Sequence, residues 1–259
     1  MESPFLKVEA LSKTFYVRHH LWEKSHVIKA VDGINFTLNE GEVLGIIGES
    51  GSGKSTLGEL LLRLQEPSEG RIDYLKIEGN FRKNIQIVQQ QSSEVFDPLM
   101  SVEKIVLEAI KKHHKLGKSE QEDRLMALLT SVGLSPEDRY KKINQFSGGQ
   151  LQRICIARAL AVSPKMLLLD EPVSALDVSV QGQIINLLMT LKEKHHLTYI
   201  IISHDLNIIK HMCNRIAVMH MGQFVEVAKT QKIFNAPEHA YTKALVQDFV
   251  GVPDQIAVD

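Results

Sequence analysis

Eight consecutive residues narrow the folds open to this chain more than any other feature: Gly48-Glu49-Ser50-Gly51-Ser52-Gly53-Lys54-Ser55. An apolar stretch, Glu42 to Ile47, runs straight into them. Lys54 to Leu64 follows, with Leu57, Leu60, Leu61 and Leu64 at helical spacing. Strand, glycine loop and helix in that order gather backbone N–H groups and the positive end of a helix dipole around an anion. Glycines let the backbone curl close to that anion with no Cβ in the way. The spacing is that of a phosphate-binding loop: Lys54 is placed to bridge the β- and γ-phosphates and Ser55 to ligate Mg²⁺. The nucleotide-binding set predicted here runs through Gly48, Glu49, Ser50, Gly51, Ser52, Gly53, Lys54, Ser55 and Thr56.

A second apolar run, Met166 to Leu169, ends in Asp170 and Glu171. Open α/β sheets place ligands at such strand ends. Asp170 is suited to hold the hydration shell of Mg²⁺, and Glu171 to position and polarise an attacking water as general base. Without a phosphate loop, residues 170–172 would read as an ordinary exposed Asp-Glu-Pro turn. With one, they predict ATP hydrolysis.

The rest of the chain alternates in the same manner. Residues 5–11 and 34–38 read as strands, as do 71–78, 85–88, 166–169, 198–202, 216–219 and 224–227. Helical patterns fall near 148–162, 179–195 and 205–212, and the tail from Lys229 to Val250 reads as helical. Between Ser101 and Lys142 strands vanish and helical spacing of Ile105, Ile110, Leu125, Leu128 and Leu129 takes over. The charge-dense Lys111–Arg124 segment within it reads as a solvated helix or loop. The expectation is an α/β fold with an N-terminal antiparallel β region. Its catalytic core comprises 1–89 and 146–228, with a helical subdomain inserted at 90–145 and a short tail at 229–259.

Composition excludes several alternatives. With 30 basic against 31 acidic residues in 259, no large positive field is available to hold a nucleic acid. Cys155 and Cys213 form no CxxC pair, so neither a metal knuckle nor a disulfide framework is expected. No apolar run reaches about eighteen residues, so no membrane span is expected. Met1-Glu2-Ser3-Pro4 lacks the basic and apolar regions of a signal peptide. The adjacent pairs His19-His20, His113-His114 and His195-His196 read as surface histidines, since neighbours on a helix point apart.

Between the two phosphate-site segments lies Phe146-Ser147-Gly148-Gly149-Gln150. Ser147 and the glycines open a helix carrying Leu151, Ile154, Cys155 and Val162, a second set of helix-terminal N–H donors for a phosphate. In that order, these motifs resemble the nucleotide-binding subunit of ABC transporters over nearly the whole chain. The resemblance makes Ser147, Gly148, Gly149 and Gln150 the family's signature segment. It implies a head-to-tail dimer in which each signature faces the partner's phosphate loop across an ATP. It further makes Ser174-Ala175-Leu176-Asp177 the D-loop and His204 the switch histidine that reaches the γ-phosphate. Phe15 aligns with the aromatic that stacks on adenine, with Tyr16 a close competitor. In Gln89-Gln90-Gln91, where relatives usually show Phe-Gln-Asp-Pro, counting back from Asp97-Pro98 selects Gln90 as the glutamine that senses Mg²⁺ and water; Gln89 and Gln91 stay open.

Finer resemblances point to the F-type ATPase of oligopeptide, dipeptide and nickel importers. They are the insertion His19–Lys24 before Val27–Gly33, Val178-Ser179-Val180-Gln181 after the D-loop, and Glu238-His239-Ala240-Tyr241-Thr242-Lys243-Ala244-Leu245 near the C-terminus. These imply an ATP-hydrolysing subunit at the cytoplasmic face of the membrane, importing peptides, nickel or a metal chelate. Its partners would be a second ATPase chain, two permease subunits docking near residues 91–105 and, indirectly, an extracytoplasmic binding protein. The alternative is a non-transport ABC ATPase such as a phosphonate-utilisation accessory protein.

Overall fold

The computed structural model describes residues 3–17, 26–89 and 96–250. In chain order they form β1 (Pro4–Val17), β2 (His26–Asn39), β3 (Val43–Ile47), α1 (Lys54–Leu61), β4 (Glu69–Tyr74), α2 (Phe81–Asn84), β5 (Ile85–Gln89), α3 (Val102–His113) and α4 (Lys118–Ser131). Two 3-10 turns, Pro136–Tyr140 and Ile143–Gln145, precede α5 (Gly148–Leu160), β6 (Met166–Asp170) and α6 (Val178–His195). Then come β7 (Thr198–Ile202), α7 (Leu206–Met212), β8 (Arg215–His220), β9 (Gln223–Lys229), α8 (Thr230–Asn235) and α9 (Ala240–Val250). These residues form two compact units, one within Met1–Glu78 and Tyr199–Pro253, the other within Gly79–Thr198.

In the first unit β1 is the middle strand of an antiparallel sheet ordered β2-β1-β4. A second sheet region places β3 between β7 and β8, parallel to both, with β9 antiparallel on β8. All five residues of β3 and of β7 are buried, the continuous apolar run of a parallel strand covered on both faces. Both β1 and β2 span fourteen residues, well beyond the expected 5–11 and 34–38. Register shifts at Val8/Leu11 and Leu11/Lys13 break the alternation that marks a half-buried strand while the ladder continues. Val27 and Ile28 of β2 are 57% and 51% exposed, so burial gives no period there either.

Helix α1 ends three residues before the expected Leu64. Arg63 adopts φ 51°, and the Leu64 amide turns back to the Glu59 carbonyl at 2.9 Å, a left-handed stop made without glycine. Leu57, Leu60 and Leu61 are buried as expected, whereas Leu64 is 55% exposed.

In the second unit β5 and β6 run parallel, with Ile85 opposite Met166 and Gln89 opposite Asp170. Helix α2 is a single turn capped by the Asn80 side chain, too short for a periodic signal. Ser101 caps α3, which buries Val102, Ile105, Val106 and Ile110; α4 buries Leu125, Leu128 and Leu129. Arg139 joins these helices, donating to Glu103 on α3 at 2.8 Å and to Glu122 on α4. The charged 111–124 segment is less solvated than expected. Arg124 is half-buried and donates to the Ala161 carbonyl at 3.0 Å, and His114 pairs with the same carbonyl at 3.1 Å. Helix α5 stops at Leu160, so Val162 is buried just beyond it rather than within it.

Candidate functional site

The phosphate loop leaves the buried end of β3 at Gly48. A Cβ there would lie 2.1 Å from the Met219 carbonyl oxygen, and one on Gly53 (φ 106°) 2.0 Å from the Ala30 carbonyl oxygen. Only glycine fits either position, because backbone from β8 and β2 occupies the space a side chain would need. The loop therefore rests on two neighbouring strands. The turn after β8 adds a further tie, with the Gly222 amide donating to the Ser52 carbonyl at 3.0 Å. Glu49, Ser50, Gly51 and Ser55 are exposed, Thr56 is half-buried and Ser52 is buried. Lys54 Nζ donates to the Gly48 and Glu49 carbonyls, both at 2.7 Å, so the ammonium lies along the inside of the loop. Gly53 caps α1 with no side chain, leaving the first-turn amides to whatever anion the loop receives.

His204 reaches the same sheet edge. Ile46 and Ile202 are register partners on β3 and β7, so Gly48 and His204 each follow two residues later. His204 is exposed. Its neighbours are fixed: the Ser203 hydroxyl accepts from the Asp205 amide at 3.0 Å, and Asp205 caps α7 through Asn207 at 2.8 Å. Phe15 on β1 is opposite Ile28, two residues from the Ala30 carbonyl that abuts Gly53. Phe15 is half-buried beneath Lys13 Nζ, 5.4 Å above its ring, whereas Tyr16 is 73% exposed.

In the second unit Asp170 ends β6 and Glu171 follows it, both half-buried. Glu171 has φ 49°, a left-handed conformation uncommon for a residue with a side chain, and its carbonyl accepts from the Ser174 hydroxyl at 3.2 Å. Gln89 lies level with Asp170 at the edge of the strand pair, while Gln90 lies outside the described residues. Ser147 caps α5, its hydroxyl accepting from the Gln150 amide at 3.4 Å and its own amide donating to Gln150 Oε1 at 3.0 Å. Ser147 and Gly148 are exposed and Gly149 is buried.

Gly148 packs on the Ser174–Asp177 segment, and Gly149 on the first turn of α6. A Cβ on Gly148 would meet Leu176 Cδ2 at 3.2 Å, and one on Gly149 would meet Val180 Cγ1 at 2.4 Å. Asp177 is exposed at the start of α6, and its carbonyl accepts from the Gln181 amide at 2.8 Å.

Two contributors lack a role in the sequence reading. Gln181 Nε2 donates to the Val173 and Leu176 carbonyls at 3.2 and 3.0 Å, holding the D-loop from inside its own helix. Tyr241 Oη accepts from the Glu49 amide at 3.0 Å.

Among the described residues no cluster of three or more His, Cys, Asp or Glu could hold a metal ion. None of their helices is long and apolar enough to cross a membrane. His113 and His114 are half-buried, and burial, then neighbouring cations, lowers the pKa of each. His19 and His20 lie outside the described residues.

The chain is similar to known proteins over most of its length. The model of the ABC transporter family matches residues 31–174. The oligopeptide transport ATP-binding protein AppF of Bacillus subtilis is 40% identical over 95% of this chain and 78% of the relative. The dipeptide transport ATP-binding protein DppF of Haemophilus influenzae is 40% identical over 94% of this chain and 77% of its own length. Among solved structures, a dimeric ATP-binding cassette in a post-hydrolysis state with ADP and Pi superposes with TM-score 0.73 at 30% identity. That match covers 87% of this chain and 98% of the cassette. The cbiO1 subunit of the cbiONQ ABC transporter complex from Clostridium perfringens gives 0.78 at 28% identity, covering 96% and 98%. The chain belongs to the ABC transporter family as an ATP-binding, ATP-hydrolysing subunit.

Proposed function

We propose that this chain powers import of peptides or related small solutes, working in a head-to-tail pair with a second ATPase subunit. The observation that carries this reading is the presence of two separate glycine-rich helix starts, at Gly53 and at Ser147-Gly148-Gly149. Each offers backbone donors to a phosphate, and pairing with a second cassette gives each a nucleotide to meet. Relatives named for oligopeptide and dipeptide transport support the peptide class of cargo.

In this reading Gly48–Thr56 cradle the phosphates, and Lys54 Nζ exchanges its two carbonyl acceptors for phosphate oxygens. Phe15 stacks on adenine. The donor set fits Mg²⁺ in kind: the Ser55 hydroxyl, the Asp170 carboxylate and the Gln90 amide offer hard oxygen ligands. When bound, Mg²⁺ supplies charge neutralisation on the β- and γ-phosphates. Glu171 orients and deprotonates the attacking water, and His204 donates to the γ-phosphate as its charge shifts. Ser147, Gly148, Gly149, Gln150 and Asp177 serve the partner's nucleotide.

Two permease subunits receive the pair at the cytoplasmic face of the membrane, and an extracytoplasmic binding protein delivers cargo to them. The surface near the expected docking segment fits such a contact: Leu99 is 65% exposed, and Ser101, Glu103, Lys104, Leu107, Glu108 and Lys111 line a groove along α3. Co-purification with permeases encoded nearby, followed by ATPase assay in proteoliposomes, tests the reading. Peptides should stimulate turnover. A complex that responds to nickel chelates and ignores peptides refutes the cargo class, and failure to assemble with any permease refutes the transport role.

A further inference from the structure

The phosphate loop is braced from behind by the C-terminal part of its own unit. Tyr241, in the first turn of α9, accepts at its hydroxyl from the Glu49 amide at 3.0 Å, while the Glu49 carbonyl accepts from Lys54 Nζ at 2.7 Å. Glu49 is therefore held through both of its backbone polar groups. The Tyr241 ring packs on His220, with centroids 4.1 Å apart and planes 31° from parallel. His220 closes β8, and the turn that follows sends the Gly222 amide to the Ser52 carbonyl. The start of α9 is fixed in turn: the Glu226 carboxylate accepts from the Glu238 and His239 amides, both at 3.0 Å, and His239 Nδ1 accepts from the Tyr241 amide at 3.2 Å. Burial raises the Tyr241 phenol above its ordinary value, so the hydroxyl stays neutral.

We propose that Tyr241 is a positioning residue for ATP binding: its hydroxyl holds the Glu49 peptide and so sets the curvature of the phosphate loop before nucleotide arrives. The inference rests on the reading of Gly48–Thr56 as the phosphate site. The hydroxyl does not touch the phosphates; it acts through Glu49, at the point where β3 gives way to the loop. A loop already curved loses less freedom when it closes on its ligand. Removing the brace therefore falls on nucleotide affinity and leaves the chemical step alone. Glu238–Leu245, a segment with no part in hydrolysis, thereby gains a part in holding the substrate.

Tyr241→Phe keeps the ring and its stack on His220 and removes only the acceptor. Titration of the purified full chain with a fluorescent ATP analogue should show affinity weakened roughly threefold to tenfold, the span of one hydrogen bond. In the assembled transporter KM for ATP should rise by the same factor, with kcat changed by less than about twofold. Hydrogen exchange at the Glu49 amide should accelerate in the variant, while β3 and β7 amides keep wild-type protection. Wild-type affinity overturns the proposal, as does an unaltered Glu49 amide. Lost protection throughout β3 and β7 also overturns it, since the hydroxyl would then be a packing element. Lys54→Ala separates this inference from the one beneath it. If Lys54→Ala binds the analogue like wild type, the phosphate-site reading fails. If Lys54→Ala abolishes binding and Tyr241→Phe is silent, only the role of Tyr241 fails.

Discussion

A Cβ on Gly149 would lie 2.4 Å from Cγ1 of Val180, so the start of α5 and the first turn of α6 approach closely enough to exclude any side chain. Gly149→Ala is expected to cost about 1–3 kcal/mol, the range for overpacking. Val180→Ala in the same chain removes the opposing methyl groups and should recover most of the loss. Urea melts of the two single variants and the double variant check this. A double variant no more stable than Gly149→Ala would place the strain elsewhere.

Glu171→Gln preserves shape and removes the proposed base. ATP turnover in the assembled complex should fall by roughly 10²–10⁴-fold, the usual worth of general-base assistance, while ATP affinity stays near wild type. Phosphate release under saturating ATP is the measurement. Unchanged turnover would take the base assignment away from Glu171.

Arg139 is 9% exposed and is held by Glu103 and Glu122, which raise its pKa further above the ordinary range. Arg139→Met would leave one partly buried carboxylate on each of two helices without its cation. The variant should be measurably less stable, though by less than breaking a fully buried pair, because both acids keep contact with water. Chemical denaturation measures it directly. Glu122→Gln, on the more exposed partner, should cost far less.

Glu226 carries a pH dependence local to α9. Burial raises its pKa, but the Glu238 and His239 amides, with Thr242 and the Lys232 charge, together outweigh that effect, and the net folded value lies below the ordinary 4.5. A depressed carboxylate pKa stabilises the folded state fully above the unfolded value, and the contribution fades as pH falls through the folded one. Acidification below about 4.5 should therefore free the start of α9 before the core strands open. Pulse-labelled hydrogen exchange across a pH series reads this order, and Glu226→Gln should flatten it.

Cys155 and Cys213 are buried thiols; burial pushes Cys155 up to about 12 and raises Cys213 as well. Aromatic disulfide reagents should label neither in the native protein on the time scale of minutes, and both on unfolding. Rapid labelling at neutral pH without denaturant would contradict the burial of both sites.

The parts of the site that the chain spells out locally were legible from it. Gly48–Ser55, Met166–Glu171 and Ser147–Gln150 each join a motif to the element that presents it, and the observed strand and helix starts agree within a residue or two. What local spacing could not carry is contact across the chain. Tyr241 and Glu49 are 192 residues apart, and nothing in the neighbourhood of either announces the other. Bulges hid the full length of β1 and exposed apolar residues that of β2, because periodicity reports burial rather than hydrogen-bond pairing. Arg63 ended α1 in a conformation that sequence reasoning reserves for glycine.

Gln181 gives the D-loop a property that matters for assembly speed. Because its amide group fastens both Val173 and Leu176 from the same chain, the segment that would face a second cassette is already shaped before any encounter. An interface formed by an ordered loop gives up little entropy on docking, so collisions convert to complexes without a search through loop conformations. If this segment meets a second cassette as proposed, its preset shape should favour fast engagement.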